Sequence, residues 1–156
     1  MPSVNDFFTR LNPLLMAVLR SPLHFLLSRG LGVLTVTGRR TGRRHSFPVG
    51  YQREGDKIII LASEANKKQW WRNFRTPSPT TLLVRGKQLT GTGRLLEPRG
   101  EEFVRHVERT FRRVPGLARS WGVAFDPGTG LTEEQIDYLR TAGAAVEIQL
   151  APPSPT

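Results

Sequence analysis

Hydrophobic positions recur along the chain in short blocks whose spacing changes. Between Val4 and Leu19, Phe7, Leu11, Leu14, Leu15 and Val18 share one helical face, with Pro13 as a kink or restart. Pro22–Ser28 reads as a second, short helical turn closed by Arg29-Gly30. Strand-like blocks then follow. Gly32–Thr37 and Ser46–Arg53 read as strands, Glu54-Gly55-Asp56 as a short turn, and Lys57–Ala62, with its Ile58-Ile59-Ile60-Leu61 run, as a buried third strand. Asn66–Arg75 changes character: a helix there places Trp70 and Phe74 on one face, four residues apart. Thr76-Pro77-Ser78-Pro79 stops it. Thr80–Arg85 and Gln88–Leu96 form a hairpin turned at Arg85-Gly86-Lys87.

The remainder is mainly helical. Pro98–Val114 reads as a helix with Phe103, Val107, Phe111 and Val114 on its buried side. Glu101 and Glu102 sit in its first turn and Arg112 and Arg113 in its last, which suits the helix dipole. Pro115-Gly116 ends it, and Leu117–Gly130 reads as a loop anchored by Trp121 and Phe125. Thr132 caps a last helix with Gln135 at the capping-box position, and Ala145–Leu150 is a final strand. About six mainly antiparallel strands with helices inserted predict an α+β domain built on a small barrel. Residues 1–150 read as one domain, residues 1–28 as its N-terminal helical segment, and residues 151–156 as a frayed tail.

Length and charge sharpen this picture. The 156 residues suit one domain with a real core, and 38% hydrophobic with 23% charged residues fits a globular chain. Net charge is +10, which attracts nucleic acid, anionic lipid or a phosphorylated cofactor. Cysteine is absent, so disulfides, thiol nucleophiles and cysteine-based metal sites are excluded, in keeping with a reducing cytoplasm. The Leu11–Leu19 run falls short of the roughly 20 residues needed to cross a bilayer. Residues 4–20 are read first as a helix packed on its own domain and second as a peripheral contact with the inner face of the membrane.

The basic residues are concentrated. No acidic residue occurs between Arg29 and Arg53, and Thr37-Gly38-Arg39-Arg40-Thr41-Gly42-Arg43-Arg44 puts four arginines and two glycines on a tight loop between two strands. Glycine permits positive φ and close backbone approach, and arginine forks onto phosphate or carboxylate oxygens. The loop is either a solvated basic turn or the mouth of a polyanion site. Lys67, Lys68, Arg72 and Arg75 follow the third strand, where Ser63 offers a further donor, and their convergence with the loop favours a pocket for a phosphorylated ligand. Nucleic acid is disfavoured because the aromatic residues are few and core-spaced. His24, His45 and His106 are scattered without metal-ligand spacing, and no nucleophile elbow or Walker loop is present, so a cofactor must carry any difficult chemistry. His106 is read as an exposed helix residue near Glu102.

The run Leu34-Thr35-Val36-Thr37-Gly38-Arg39-Arg40-Thr41-Gly42, then Pro48, Gly55-Asp56, Ala62-Ser63, Trp70-Trp71-Arg72-Asn73-Phe74 and Gly91-Thr92-Gly93, resembles the deazaflavin-dependent nitroreductase and quinone reductase family. The resemblance spans roughly residues 22–98. It implies a split β-barrel and a 5-deazaflavin cofactor (coenzyme F-420), with flavin mononucleotide as the lesser alternative. By resemblance, Gly38, Arg39, Arg40, Thr41, Gly42 and Arg44 would cradle the cofactor's anionic tail. Pro48 and Val49 would flank its ring, Ser63 would sit near the ring or side chain, and Trp71 and Asn73 would shape the pocket. The implied activity is hydride transfer to an apolar, quinone-like or nitro-type small-molecule acceptor; the family's substrate-side tyrosines have no clear counterpart, and Tyr51 or Trp121 is read as lining the substrate side instead. Barrels of this type often pair, so a homodimer is an expectation too. Glu64 stands where many members carry a basic residue, and Ala65-Asn66-Lys67 where many carry glycines. A non-catalytic fatty-acid or cofactor carrier on the same fold is the alternative function.

Overall fold

The computed structural model describes residues 31–152. The helices expected before Leu31, with the membrane contact assigned to residues 4–20, and the last four residues of the tail lie outside the described residues.

Among the described residues, seven strands form one sheet: β1 (Leu31–Thr37), β2 (Arg44–Gly50), β3 (Gln52–Glu54), β4 (Lys57–Ala62), β5 (Ser78–Val84), β6 (Lys87–Leu95) and β7 (Ala144–Leu150). Their order is β2-β1-β5-β6-β7-β4-β3, and every pairing is antiparallel. The second strand expected from sequence is therefore two strands, broken at Tyr51. β2 pairs with β1 at one edge of the sheet and β3 pairs with β4 at the other. Because β2 and β3 are consecutive, the chain itself joins the two edges. This is the α+β split barrel the sequence predicts, with its six strands counted as seven.

Alternation explains the barrel interior. Leu34 and Val36 of β1, Val49 of β2, Ile58 and Ile60 of β4, Leu82 and Val84 of β5, and Val146 and Ile148 of β7 form one buried cluster, each two residues apart within its strand. Each such side chain contributes roughly 1.5–3 kcal/mol on burial. Phe74 plugs the cluster against Gly93: a Cβ there would lie 2.5 Å from the Phe74 ring. Pro48 is tolerated in β2 because an edge strand leaves one row of backbone groups unpaired.

The helices cover the outer face. Helix α1 (Glu101–Arg113) buries Phe103, Val107 and Phe111, spaced four apart, against Leu96 and Ala145. Helix α3 (Glu133–Ala142) starts with the expected capping box. The Gln135 amide donates to Thr132 Oγ1 at 3.2 Å, and the Thr132 amide donates to Gln135 Oε1 at 3.0 Å. Helix α2 (Pro115–Ser120) corrects the expected loop. Proline in the first turn of a helix loses no hydrogen bond there, so Pro115 opens α2 as well as closing α1.

Two further expectations fail. Asn66–Arg75 is not one helix but two 3-10 turns, Ala65–Lys67 and Trp70–Phe74. Glu64 enters in the left-handed region (φ 48°), and Lys68 is extended between the turns (φ −109°, ψ 142°), which interrupts any continuous helix. His106 is buried (3% exposed) rather than solvated. Its Nδ1 lies 3.5 Å from Glu54 Oε1 on β3, a neighbour 52 residues away that sequence spacing hides. Burial lowers the His106 pKa, against the pull of Glu54. Burial by itself would raise Glu54, but the hydrogen bond from Arg109 and the charges of His106 and Arg109 hold its carboxyl below the ordinary range.

Candidate functional site

The arginine-bearing loop is folded by its own backbone. The Gly38 amide donates to the Arg43 carbonyl at 2.8 Å and the Gly42 amide to the Gly38 carbonyl at 2.9 Å. Gly42 sits at φ +68°, which a side chain would resist. The Arg43 amide donates to Thr41 Oγ1 at 3.2 Å. Asn73 then ties the loop to the barrel: its Oδ1 accepts from the Arg39 amide at 3.0 Å, and its Nδ2 donates to the Trp70 carbonyl at 3.0 Å.

Beneath this latch lies a cavity of about 610 Å³. Gly38, Arg39, Arg40 and Thr41 form its rim, Val36, His45 and Phe47 its sheet side, and Gln69, Trp70, Arg72 and Asn73 the facing wall. Trp70 packs between Phe47 and Phe74, with ring centroids 5.4 and 6.4 Å away. No lining residue carries a carboxylate. Among the described residues, Arg39, Arg40, Arg43, Arg44 and Arg72 form no ion pair. Arg72 Nη1 donates to Gln69 Oε1 at 2.9 Å and its guanidinium lies 5.4 Å from the Trp71 ring centre, while its buried Nε has no partner. Unpaired guanidinium groups around an acid-free cavity fit an anionic ligand group, because Coulomb attraction there meets no internal competitor.

A second cavity, of about 640 Å³, lies outside the barrel between β4 and the helices. Ile59 and Leu61 of β4, Gly50-Tyr51-Gln52 at the strand break, and Leu117, Trp121 and Tyr138 from the helical layer line it. Its polar residues include Ser63, Glu64 and Lys68. Burial raises the Tyr51 pKa against the influence of Arg85, and burial lowers the Lys68 pKa against that of Glu64. Lys68 lines this cavity and Gln69 lines the arginine cavity, so the segment carrying them borders both.

The residues singled out from sequence thus divide. Gly38, Arg39, Arg40, Thr41 and Asn73 line the arginine cavity, and Ser63 lines the other, as do Tyr51 and Trp121. Gly42 shapes the loop without lining a cavity, and Arg44 is the exposed first residue of β2. Val49 is buried in the barrel, and Pro48, next to it on β2, points to the opposite face. Trp71 packs against the core and donates from Nε1 to the Ala65 carbonyl at 2.7 Å. Sequence reasoning counted Arg72 among the converging basic residues but left out His45, Phe47, Gln69 and Trp70. Alternation was an available signal for two of them, since His45 and Phe47 share a strand face with the buried Val49.

Comparison with known proteins agrees with this fold. The chain has 20% identity to a structure of an F420-H2 dependent reductase (FDR-A), covering 78% of this chain and 96% of that one with a TM-score of 0.54. A FAD and heme binding protein from Mycobacterium smegmatis is 18% identical, covering 85% and 67% at a TM-score of 0.54. A structure described as a domain-swapped dimer is 17% identical, covering 94% and 99% at 0.55. At these identities the likeness is one of fold. No curated protein matches the chain. No helix among the described residues is long and apolar enough to cross a membrane. Residues 25–121 match the F420H(2)-dependent quinone reductase family, and the chain belongs to that family of deazaflavin-dependent oxidoreductases.

Proposed function

We propose that this chain binds reduced 5-deazaflavin and delivers its hydride to an apolar acceptor of the quinone or nitro type. The observation that carries this reading is the latched arginine loop over an acid-free cavity. Arg39 and Arg40, with Arg72 on the facing wall, would hold the anionic tail, and Thr41 would add a hydroxyl. Asn73 would fix the loop before binding, so less ordering is lost when the ligand arrives. When bound, the deazaflavin supplies a hydride from its ring carbon. The chain's own residues orient and shield: Trp70 and Phe47 give the arginine cavity an aromatic wall, and Trp121, Ile59 and Leu61 keep the second cavity largely apolar.

Titration of the purified chain with deazaflavin, flavin mononucleotide and a long-chain fatty acid tests this. Tight deazaflavin binding that weakens with added salt is expected. Fatty-acid binding without deazaflavin binding would replace the reductase reading with that of a carrier, and preference for flavin mononucleotide would replace the cofactor.

A further inference from the structure

The cavity outside the barrel contains a basic group for which the arginine site has no use. Lys68 is the one basic side chain among the described residues lining it. It falls at the break between the two 3-10 turns and is half-buried. Its ammonium makes no hydrogen bond and no ion pair with any described residue; the neighbouring Lys67 takes Glu64, at 3.7 Å. Ile59, Leu61, Leu117 and Trp121 line the same cavity with apolar surface that cannot solvate a charge, alongside the polar Ser63, Glu64, Thr110 and Ser120. We propose that Lys68 stabilises, and then protonates, the oxygen of the hydride acceptor in this cavity. The proposal rests on the reading above that a reduced deazaflavin is the two-electron donor.

The electron and proton balance is simple. The acceptor receives the hydride and is reduced, while the deazaflavin is oxidised. The acceptor's C=O π pair moves onto oxygen, and that oxygen takes a proton as a Lys68 N–H bond breaks and an O–H bond forms. Solvent then returns a proton to the neutral amine. The other candidate donors are weaker. Tyr138 Oη already donates to the Trp121 carbonyl at 3.1 Å. Burial makes Tyr51 a poorer acid and Lys68 a better one, because it disfavours whichever form is charged. Glu64 is the one carboxylate lining this cavity, and it opposes the loss of the Lys68 proton.

The phenol 4-nitrophenol stands in for the anionic product, since its absorbance reports its ionisation without any cofactor. The full chain should bind it as the phenolate and strengthen its acidity about tenfold or more, the scale of a nearby opposite charge. Lys68→Arg should retain that shift, and Lys68→Met and Lys68→Gln should abolish it. All three variants should bind deazaflavin as the parent does. With cofactor and a quinone, Lys68→Met should lower kcat about a hundredfold, the usual scale for general acid catalysis, with a smaller change in KM. A parent chain that leaves the dye's ionisation unchanged overturns the proposal, as does a Lys68→Met variant that keeps the shift or the full kcat. Failure of deazaflavin to bind would instead sink the reductase reading while leaving the dye result intact.

Discussion

Removing the Asn73 side chain tests whether the arginine loop is held in place before any ligand arrives. Asn73→Ala deletes two hydrogen bonds of 3.0 Å, one from the Arg39 amide and one to the Trp70 carbonyl. The Arg39 amide is exposed and recovers a bond from water, whereas the Trp70 carbonyl lies in a part-buried setting. Together the losses come to about 2 kcal/mol, or a fall in melting temperature of about 4–8 °C for a chain of this size. Binding should suffer as well. Arg39 and Arg40 would have to be ordered on binding, at roughly 0.5–1.5 kcal/mol each, which weakens deazaflavin affinity about fivefold to 150-fold. Asn73→Asp separates the contributions. A carboxylate still accepts from the Arg39 amide but cannot donate to Trp70, so stability should fall less than in the alanine variant. Its negative charge at an anion cavity should nevertheless weaken binding further. Thermal melts and titrations read by protein fluorescence measure both quantities. An alanine variant within about 1 °C of the parent melt and about twofold of its affinity would refute the latch.

Arg39→Ala should weaken deazaflavin binding by roughly 1.5–3 kcal/mol, about 10- to 150-fold, while leaving the melting temperature unchanged because Arg39 is exposed; equal affinities would remove the arginine from the site. Gly93→Ala places a Cβ 2.5 Å from the Phe74 ring and should cost about 1–3 kcal/mol, read from the urea midpoint, with Phe74→Leu in the same chain recovering part of it. Burial lowers the His106 pKa, so its neutral form is the one favoured by folding. Its contribution to stability is complete above the ordinary imidazole value of about 6.5 and is lost as pH falls below it toward the lower folded value. Urea midpoints at about pH 7.5 and 5.5 should differ in the parent and differ less in His106→Gln; an equal difference in both proteins would show that folding does not shift His106.

Much of this was legible in the residues because the signals were local. The Ile58-Ile59-Ile60-Leu61 run, the Thr132/Gln135 capping box and the Phe103/Val107/Phe111 stripe each depend on neighbours within a few positions, and the structure keeps them. The arginine loop was legible for the same reason. What escaped depends on distant partners. His106 is buried where side chains of α1 meet those of β3, and nothing within a turn of His106 announces Glu54. Trp70 and Phe74 were recognised as a pair, but the tight turn that brings them together is set by the Glu64 backbone and the extended Lys68, not by helical spacing. The separation of Ser63 from the arginines was hidden too, because adjacent stretches of one segment face different cavities.

Tyr51 marks the place where the barrel closes on itself without a ladder. Where the barrel meets itself, the two margins are joined by continuous covalent chain, and no ladder pairing links β2 to β3. Prising that place apart therefore sacrifices no inter-strand bond, in contrast to every other boundary around the circumference. Gly50, Tyr51 and Gln52 also line the outer cavity. Displacement at that margin would therefore leave the hydrogen-bonded ladders around the rest of the barrel whole.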